Sequence, residues 1–222
     1  MKAMILAAGR GERMRPLTDA LPKPLLTVGG KALIVHHLEA LARAGVREVV
    51  VNLAWQAAKL RAALGDGSAF GVRILYSDEG EVARETGGGI LHALPLLGEA
   101  PFLVVNGDIW TDFPFGRLAL GAVADARLVL VPNPPQHPRG DFSLAGEWVG
   151  EEDGPDVTRH TYAGIGLYRP QLFAGCAPGR FPLLPLLRRA IAAGRLQGEV
   201  YRGVWQDIGT PARLAALDAA LR

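Results

Sequence analysis

The sequence is poor in cysteine, in lysine and in long apolar runs, and each shortage narrows what the chain can be. One cysteine, Cys176, excludes an intrachain disulfide framework and suits a reducing compartment. No apolar run reaches the length of a membrane span, and the chain begins on a strand pattern without a charged leader or cleavage site. A cytoplasmic protein with no membrane partner is therefore expected. Net charge is nearly absent: 24 Lys+Arg against 22 Asp+Glu leave +2, too balanced to suggest a nucleic-acid partner. Only four residues are lysines (Lys2, Lys23, Lys31 and Lys59), so a lysine beside a glycine loop is unlike filler. The five histidines show no metal-ligand spacing. His36 and His37 are neighbours that diverge on a helical pattern, and His92, His137 and His160 are scattered. With one cysteine and no histidine near it, a thiol nucleophile has little support.

What is present is an alternation. Short apolar or β-branched runs at 2–7, 47–52, 72–76, 102–106 and 127–132 have the character of strands buried on both faces. Helical patterns at 31–44, 55–64 and 87–97 lie between them, the first ending at Gly45 as a C-terminal cap. This predicts an α/β fold, a mostly parallel sheet with helices on both faces. After residue 132 the pattern changes. A proline-rich loop at 132–140 precedes strands at 141–149 and 161–169, expected to pair antiparallel across the acidic turn 150–156. A helix at 183–193, a strand near 199–204 and a last helix capped by Thr210 with Pro211 at its first position complete the chain. Its 222 residues are expected to form one domain, with 1–132 binding nucleotide, 133–204 binding sugar and 205–222 adding a metal ligand and helix. Met14, Trp55 and Trp148 are expected to pack rather than to touch a cofactor.

The first strand runs into LAAGRGERMRPLT (residues 6–18), followed by Pro22-Lys23-Pro24. This is not a P-loop, because no G-x-x-x-x-G-K-[ST] occurs. It is not a dinucleotide fingerprint either. Met14 stands where the third glycine belongs, and the second strand ends in Asn52 rather than an acid. Gly9 and Gly11 bring backbone amides to anionic oxygens. Arg13 can fork two phosphate oxygens, and Lys23 is a compact charge held between two prolines. A triphosphate site follows.

These residues resemble the signature of sugar-1-phosphate nucleotidyltransferases, L-A-[AG]-G-x-G-x-R-[LM]-x-P-L-T followed by P-K-P. The resemblance implies a Rossmann-like, nucleotide-diphospho-sugar transferase fold. It also implies transfer of a nucleoside monophosphate from an NTP to a sugar 1-phosphate, with release of pyrophosphate. Arg13 would hold the triphosphate, Lys23 would neutralise phosphoryl oxygens during attack, and Ala7, Ala8, Gly9, Gly11 and Glu12 would line the nucleotide site.

Two distant aspartates extend the site. Asp108 follows strand 102–106 in Asn106-Gly107-Asp108, at the carboxyl end where ligands meet an open sheet. Asp207 lies in Trp205-Gln-Asp-Ile-Gly-Thr210, before the last helix. Mg²⁺ takes one or two carboxylates with phosphate oxygens and water, and this pair would supply them if the fold joins them. Both match the family's G-D and W-x-D-x-G-T. Asp112 is expected to cap a turn. The acceptor phosphate is already a nucleophile, so catalysis needs positioning and charge neutralisation rather than a base.

Base and sugar are less legible. Glu85-Thr86-Gly87-Gly88-Gly89 is expected to precede a helix at 90–97, its glycines lying against the base. Backbone at Gly88 and a carboxylate at Glu79 or Glu81 would satisfy uracil or guanine equally. The family's V-E-K-P lysine is missing, since no lysine follows Lys59. Chain length, ETGGG, Arg139-Gly140-Asp141-Phe142 and Tyr201-Arg202-Gly203 are most similar to N-acetylmuramate 1-phosphate uridylyltransferases of bacterial wall recycling. That implies UTP and a carboxylate-bearing sugar 1-phosphate, with Asn106, Asp141, Arg139 and Arg202 as candidates for the sugar and the two arginines for its carboxylate. A guanylyl- or cytidylyltransferase for another sugar or for phosphocholine is the enzyme alternative. A silent nucleotide-sugar sensor is disfavoured, because Lys23 and both aspartates are retained. A monomer is expected.

Overall fold

The computed structural model describes residues 1–222. In chain order its elements are β1 (Ala3–Leu6), α1 (Leu17–Ala20), β2 (Thr27–Val28), β3 (Lys31–Ala32), α2 (Leu33–Arg43), β4 (Glu48–Leu53), α3 (Ala57–Leu64), β5 (Arg73–Asp78), α4 (Glu85–Leu97), β6 (Phe102–Asn106) and β7 (Ile109–Thr111). They continue with β8 (Ala126–Val131), β9 (Phe142–Ala145), β10 (Trp148–Gly150), β11 (Arg159–Tyr168), α5 (Leu184–Ala192), β12 (Leu196–Val200), β13 (Trp205–Asp207) and α6 (Pro211–Ala220). Nine strands form one sheet in the order β5-β4-β1-β6-β11-β8-β12-β10-β9. Its first four strands are parallel, and β11 enters antiparallel between β6 and β8. The mixed α/β sheet expected from the alternation is what forms. No helix is long and apolar enough to cross a membrane.

The two-faced burial follows from the period of a strand. On β1, Ala3 and Ile5 join one core cluster while Met4 joins the other; on β4, Val49 and Val51 separate from Val50 in the same way. Helix α2 stops where expected. Gly45 N–H donates to Ala42 O and Val46 N–H to Leu41 O, both at 3.0 Å, with Gly45 at φ +85°, the bonding of a Schellman cap. A third, smaller cluster joins the chain's two ends: Met14, fully buried, packs with Leu33, Ile208 and Leu217.

Four expectations are corrected. Residues 31–32 pair with β2 in a small hairpin, so the helix begins at Leu33. The 141–149 strand is itself a hairpin, β9–β10; only β9 reaches β11, pairing Phe142 with His160 and Ser143 with Arg159. Trp148 is exposed on β10 rather than packed inside.

The glycine triplet is the largest correction. Gly87, Gly88 and Gly89 do not precede α4; they form its first turns. On the side a Cβ would occupy, they face protein. A Cβ would lie 2.6 Å from the Phe181 ring at Gly87, 2.2 Å from Gly179 O at Gly88 and 2.6 Å from Glu79 Oε1 at Gly89. The 179–182 strap is stitched to this turn, with Phe181 N–H donating to Arg84 O (3.2 Å) and Gly88 N–H to Phe181 O (3.0 Å). Alanine in a helix is ordinarily better than glycine by about 1 kcal/mol, but here the overlap dominates. Gly88→Ala is expected to destabilise the protein by about 3 kcal/mol in urea unfolding. A variant as stable as wild type would refute this packing.

Candidate active site

The site lies at the carboxyl ends of β1, β4 and β6. The loop after β1 is shaped by its own side chains. Gly11 sits at φ +64°, and a Cβ there would press on Thr18 Cγ2 and Lys23 Cβ at 3.0 and 3.1 Å. Thr18 Oγ1 donates to Gly11 O (2.9 Å), which accounts for a threonine in this stretch. Met14 N–H also donates to Gly11 O (2.8 Å), whereas the amides of Gly9 to Arg13 make no hydrogen bond within the chain. Free amides at the end of a central strand form an anion cradle. Pro22 is extended, with φ −62° and ψ 140°, before a 3₁₀ turn at Lys23–Leu25. Lys23 is 7% exposed, and its Nζ lies 2.7 Å from Asp108 Oδ2.

Asp108 and Asp207, distant in sequence, are joined by a short antiparallel ladder. In it β13 pairs with β7, Asp207 opposite Ile109, and Ile208 N–H donates to Asp108 O at 2.9 Å. Trp205 anchors this ladder by donating Nε1–H to Ala163 O (2.8 Å), inside the register break of β11 between Tyr162 and Ile165. From the other side, His37 Nε2 bonds Ile109 O at 2.8 Å, and burial lowers its pKa to about 4, so the ring is neutral. Asp112 binds β13's approach rather than capping a turn alone: its Oδ1 accepts from Tyr201 OH and Val204 N–H, while Thr111 Oγ1 accepts from Phe113 N–H.

Two cavities meet here. The first, about 700 Å³, holds the loop from Ala7 to Arg13 with Lys23, Asn52, Glu79, Thr86 and Arg180. The second, about 320 Å³, holds His137, Asp141, Thr161, Tyr162, Trp205 and Asp207. Arg13, Asn106 and Asp108 line both. Arg13 makes no ion pair or hydrogen bond within the chain, which leaves its fork free for a ligand. The donor set suits a hard divalent cation. Asp108 and Asp207 could supply two oxygen ligands, and no group of three or more His, Cys, Asp or Glu placed to hold a metal exists, so phosphate and water would have to complete the shell. In the chain alone each carboxylate is matched by a cation: Asp108 by Lys23, Asp207 by Arg213 Nη1 at 2.5 Å.

Of the sequence-derived candidates, Ala7, Ala8, Gly9, Gly11, Glu12, Arg13, Lys23, Glu79, Asn106, Asp108, Asp141 and Asp207 line one or both cavities. Ala7 contributes no free amide, because its N–H donates to Asn52 Oδ1 (2.7 Å). Glu79, 6% exposed, accepts from Asn52 Nδ2 (2.7 Å) and Arg84 N–H (2.6 Å), so one buried chain links the β1 loop to the floor of the first cavity. Gly88 lines neither cavity, its amide being spent on Phe181 O. Arg139 and Arg202 also line neither; both are exposed, and Arg202 acts instead on His160, whose pKa is lowered by burial first and by this charge second. Sequence reasoning missed Asn52, Arg180, His137 and Arg213. Asn52 had a signal, its place at the carboxyl end of the strand beside β1; the others are brought in by loops or a helix start with no local pattern.

Comparison with known proteins agrees with this geometry. Residues 2–145 match the model of the Nucleotidyl transferase family. The chain is 49% identical over 225 residues to the N-acetylmuramate alpha-1-phosphate uridylyltransferase of Neisseria meningitidis serogroup B, covering 99% of this chain and 97% of that protein. It is 40% identical over 232 residues to the protein of the same name from Caulobacter vibrioides, covering 99% and 96%. Its fold is similar to a solved Bacillus anthracis structure provisionally described as a glucose-1-phosphate thymidylyltransferase, with TM-score 0.84 at 22% identity over 100% of this chain and 95% of that one. From the phosphate loop, the joined aspartates and these matches, the chain belongs to the nucleotidyl transferase family and is a sugar-1-phosphate nucleotidyltransferase.

Proposed function

We propose that this enzyme transfers UMP from UTP to N-acetyl-α-muramate 1-phosphate, giving UDP-N-acetylmuramate and pyrophosphate in peptidoglycan recycling. One observation carries the reading: a large cavity holding the phosphate loop and a smaller polar one share Arg13, Asn106 and Asp108, so donor and acceptor phosphates would meet at these groups. The identity to two proteins named for this reaction supports the choice of substrates.

The chemistry is a displacement. An acceptor phosphate oxygen bonds to the α-phosphorus of UTP as the bond to pyrophosphate breaks. The acceptor arrives ionised, so no base is needed. Loop amides and Arg13 would hold the triphosphate, and Lys23 would turn from Asp108 to the phosphoryl oxygens as charge moves. Asp108 and Asp207 would hold Mg²⁺, which when bound supplies positive charge to the same oxygens. The single cysteine and the nucleotide substrate support a cytoplasmic site of action.

Pyrophosphate release from a panel of UTP, GTP and CTP with several sugar 1-phosphates and phosphocholine tests the reading. UTP with N-acetylmuramate 1-phosphate is expected to exceed every other pair by about 10-fold or more in kcat/KM. A guanylyl or cytidylyl pair above it, or no release beyond the acceptor-free control, would overturn the assignment.

A further inference from the structure

The acceptor cavity presents a charge problem. Its lining carries three carboxylates, Asp108, Asp141 and Asp207, against two side chains able to bear positive charge, Arg13 and His137. Arg13 belongs equally to the triphosphate cavity. An acceptor that brings a carboxylate of its own as well as a phosphate calls for a second basic group away from the phosphate end, and among the lining residues His137 is the remaining basic one.

The imidazole is built into place. His137 N–H donates to Pro134 O (2.8 Å), and His137 O accepts from Gly140 N–H (3.3 Å). The base of the loop is tied by Asn133, whose Nδ2 donates to Pro138 O and Arg159 O (both 3.1 Å) and whose Oδ1 accepts from Thr161 Oγ1 (2.9 Å). His137 Nε2 lies 2.9 Å from Asp141 Oδ1, and Asp141 Oδ2 accepts Tyr162 N–H at 2.8 Å. Asp141 thus spends an oxygen on the ring and an oxygen on β11. With Nε2–H given to Asp141, Nδ1 has no partner in the chain. The side chain is 42% exposed, accessible from the cavity it lines.

From this geometry we infer that His137 is the specificity-determining residue that recognises the acidic side arm of the acceptor, with Asp141 as its positioning residue. This rests on the proposed function. An anionic oxygen at Nδ1 completes a carboxylate–imidazolium–carboxylate arrangement in which both ring nitrogens donate. It replaces the role the sequence suggested for Arg139 and Arg202, and Asp141 acts through the ring rather than directly on sugar hydroxyls.

The test compares N-acetylmuramate 1-phosphate with N-acetylglucosamine 1-phosphate, which lacks only the lactyl arm, using UTP and the full-length enzyme. Wild type is expected to favour the muramate. In His137→Ala the ratio of kcat/KM between the two acceptors is expected to fall about 10-fold, chiefly through the muramate KM, since a charge-assisted hydrogen bond is lost. Asp141→Asn, which keeps an acceptor for Tyr162 N–H, is expected to lower the ratio in the same direction. An unchanged ratio in His137→Ala, or a collapse in Arg202→Ala alone, would overturn this inference and leave the proposed function standing. A wild-type enzyme that did not favour the muramate would overturn both.

Discussion

Lys23→Ala is expected to lower turnover by about 100-fold or more, because it removes a preorganised charge from the place where charge moves during transfer. Lysine is rarely buried, yet Lys23 is 7% exposed, fixed between Pro22 and Pro24 and packed against Gly11. Its ammonium is therefore aimed, not merely near. The loss should fall on kcat more than on KM, since the charge is worth most as oxygens gain negative charge. Lys23→Arg is not expected to restore wild-type turnover, as a planar fork cannot occupy the space of a compact ammonium beside the loop. Pyrophosphate release by purified variants with wild-type melting curves is the measurement. A near-wild-type rate for Lys23→Ala would remove Lys23 from the mechanism.

Asp108 carries the second large effect, and two substitutions separate its two duties. It pairs with Lys23 at 2.7 Å and, with Asp207, offers hard oxygens to a cation. Asp108→Ala loses both, and turnover should again fall about 100-fold or more. Asp108→Asn keeps the shape and an oxygen to accept from Lys23 but loses the charge a divalent ion needs. If metal ligation dominates, the asparagine variant will need several-fold more Mg²⁺ for half-maximal rate and will remain slow at saturation. If holding Lys23 dominates, it will run close to wild type at ordinary Mg²⁺, and the ligand assignment for Asp108 falls.

The parts of this molecule that were legible in sequence are those whose cause is local. β1 and β4 announce themselves because strands buried on both faces must be continuously apolar. Gly45 announces the end of α2 because only a residue at ease at φ +85° ends a helix that way. Thr210 reads as a cap and acts as one, accepting from Arg213 N–H. The glycine triplet shows the opposite case. Three glycines in a row signal close approach but not what approaches; the neighbour is the 179–182 strap, some 90 residues on, placed there by the packing of α5 and its approach against the sheet. The hairpin at 142–150 is different: its cause is local, Gly146 at φ +61°, but it lies inside a run that otherwise has the pattern of one strand.

The same division applies to the site. The amino-acid sequence by itself determined the phosphate loop, because Gly11, Arg13, Thr18 and Lys23 lie within 13 residues of one another, and local sterics and hydrogen bonds shape them. It also placed Asp108 at the end of a strand, whereas Asp207, read as lying just before a helix, closes the short strand β13. Only the tertiary structure decided that Asp108 and Asp207 share one cavity, through the β7–β13 ladder, and that Arg13, Asn106 and Asp108 stand where two cavities join. It likewise decided which basic side chains line the second cavity, admitting His137 and leaving Arg139 and Arg202 outside. The physical reason is that a loop's conformation is written in its neighbours along the chain. A cavity between distant strands is instead set by sheet order and register, which the whole chain fixes together.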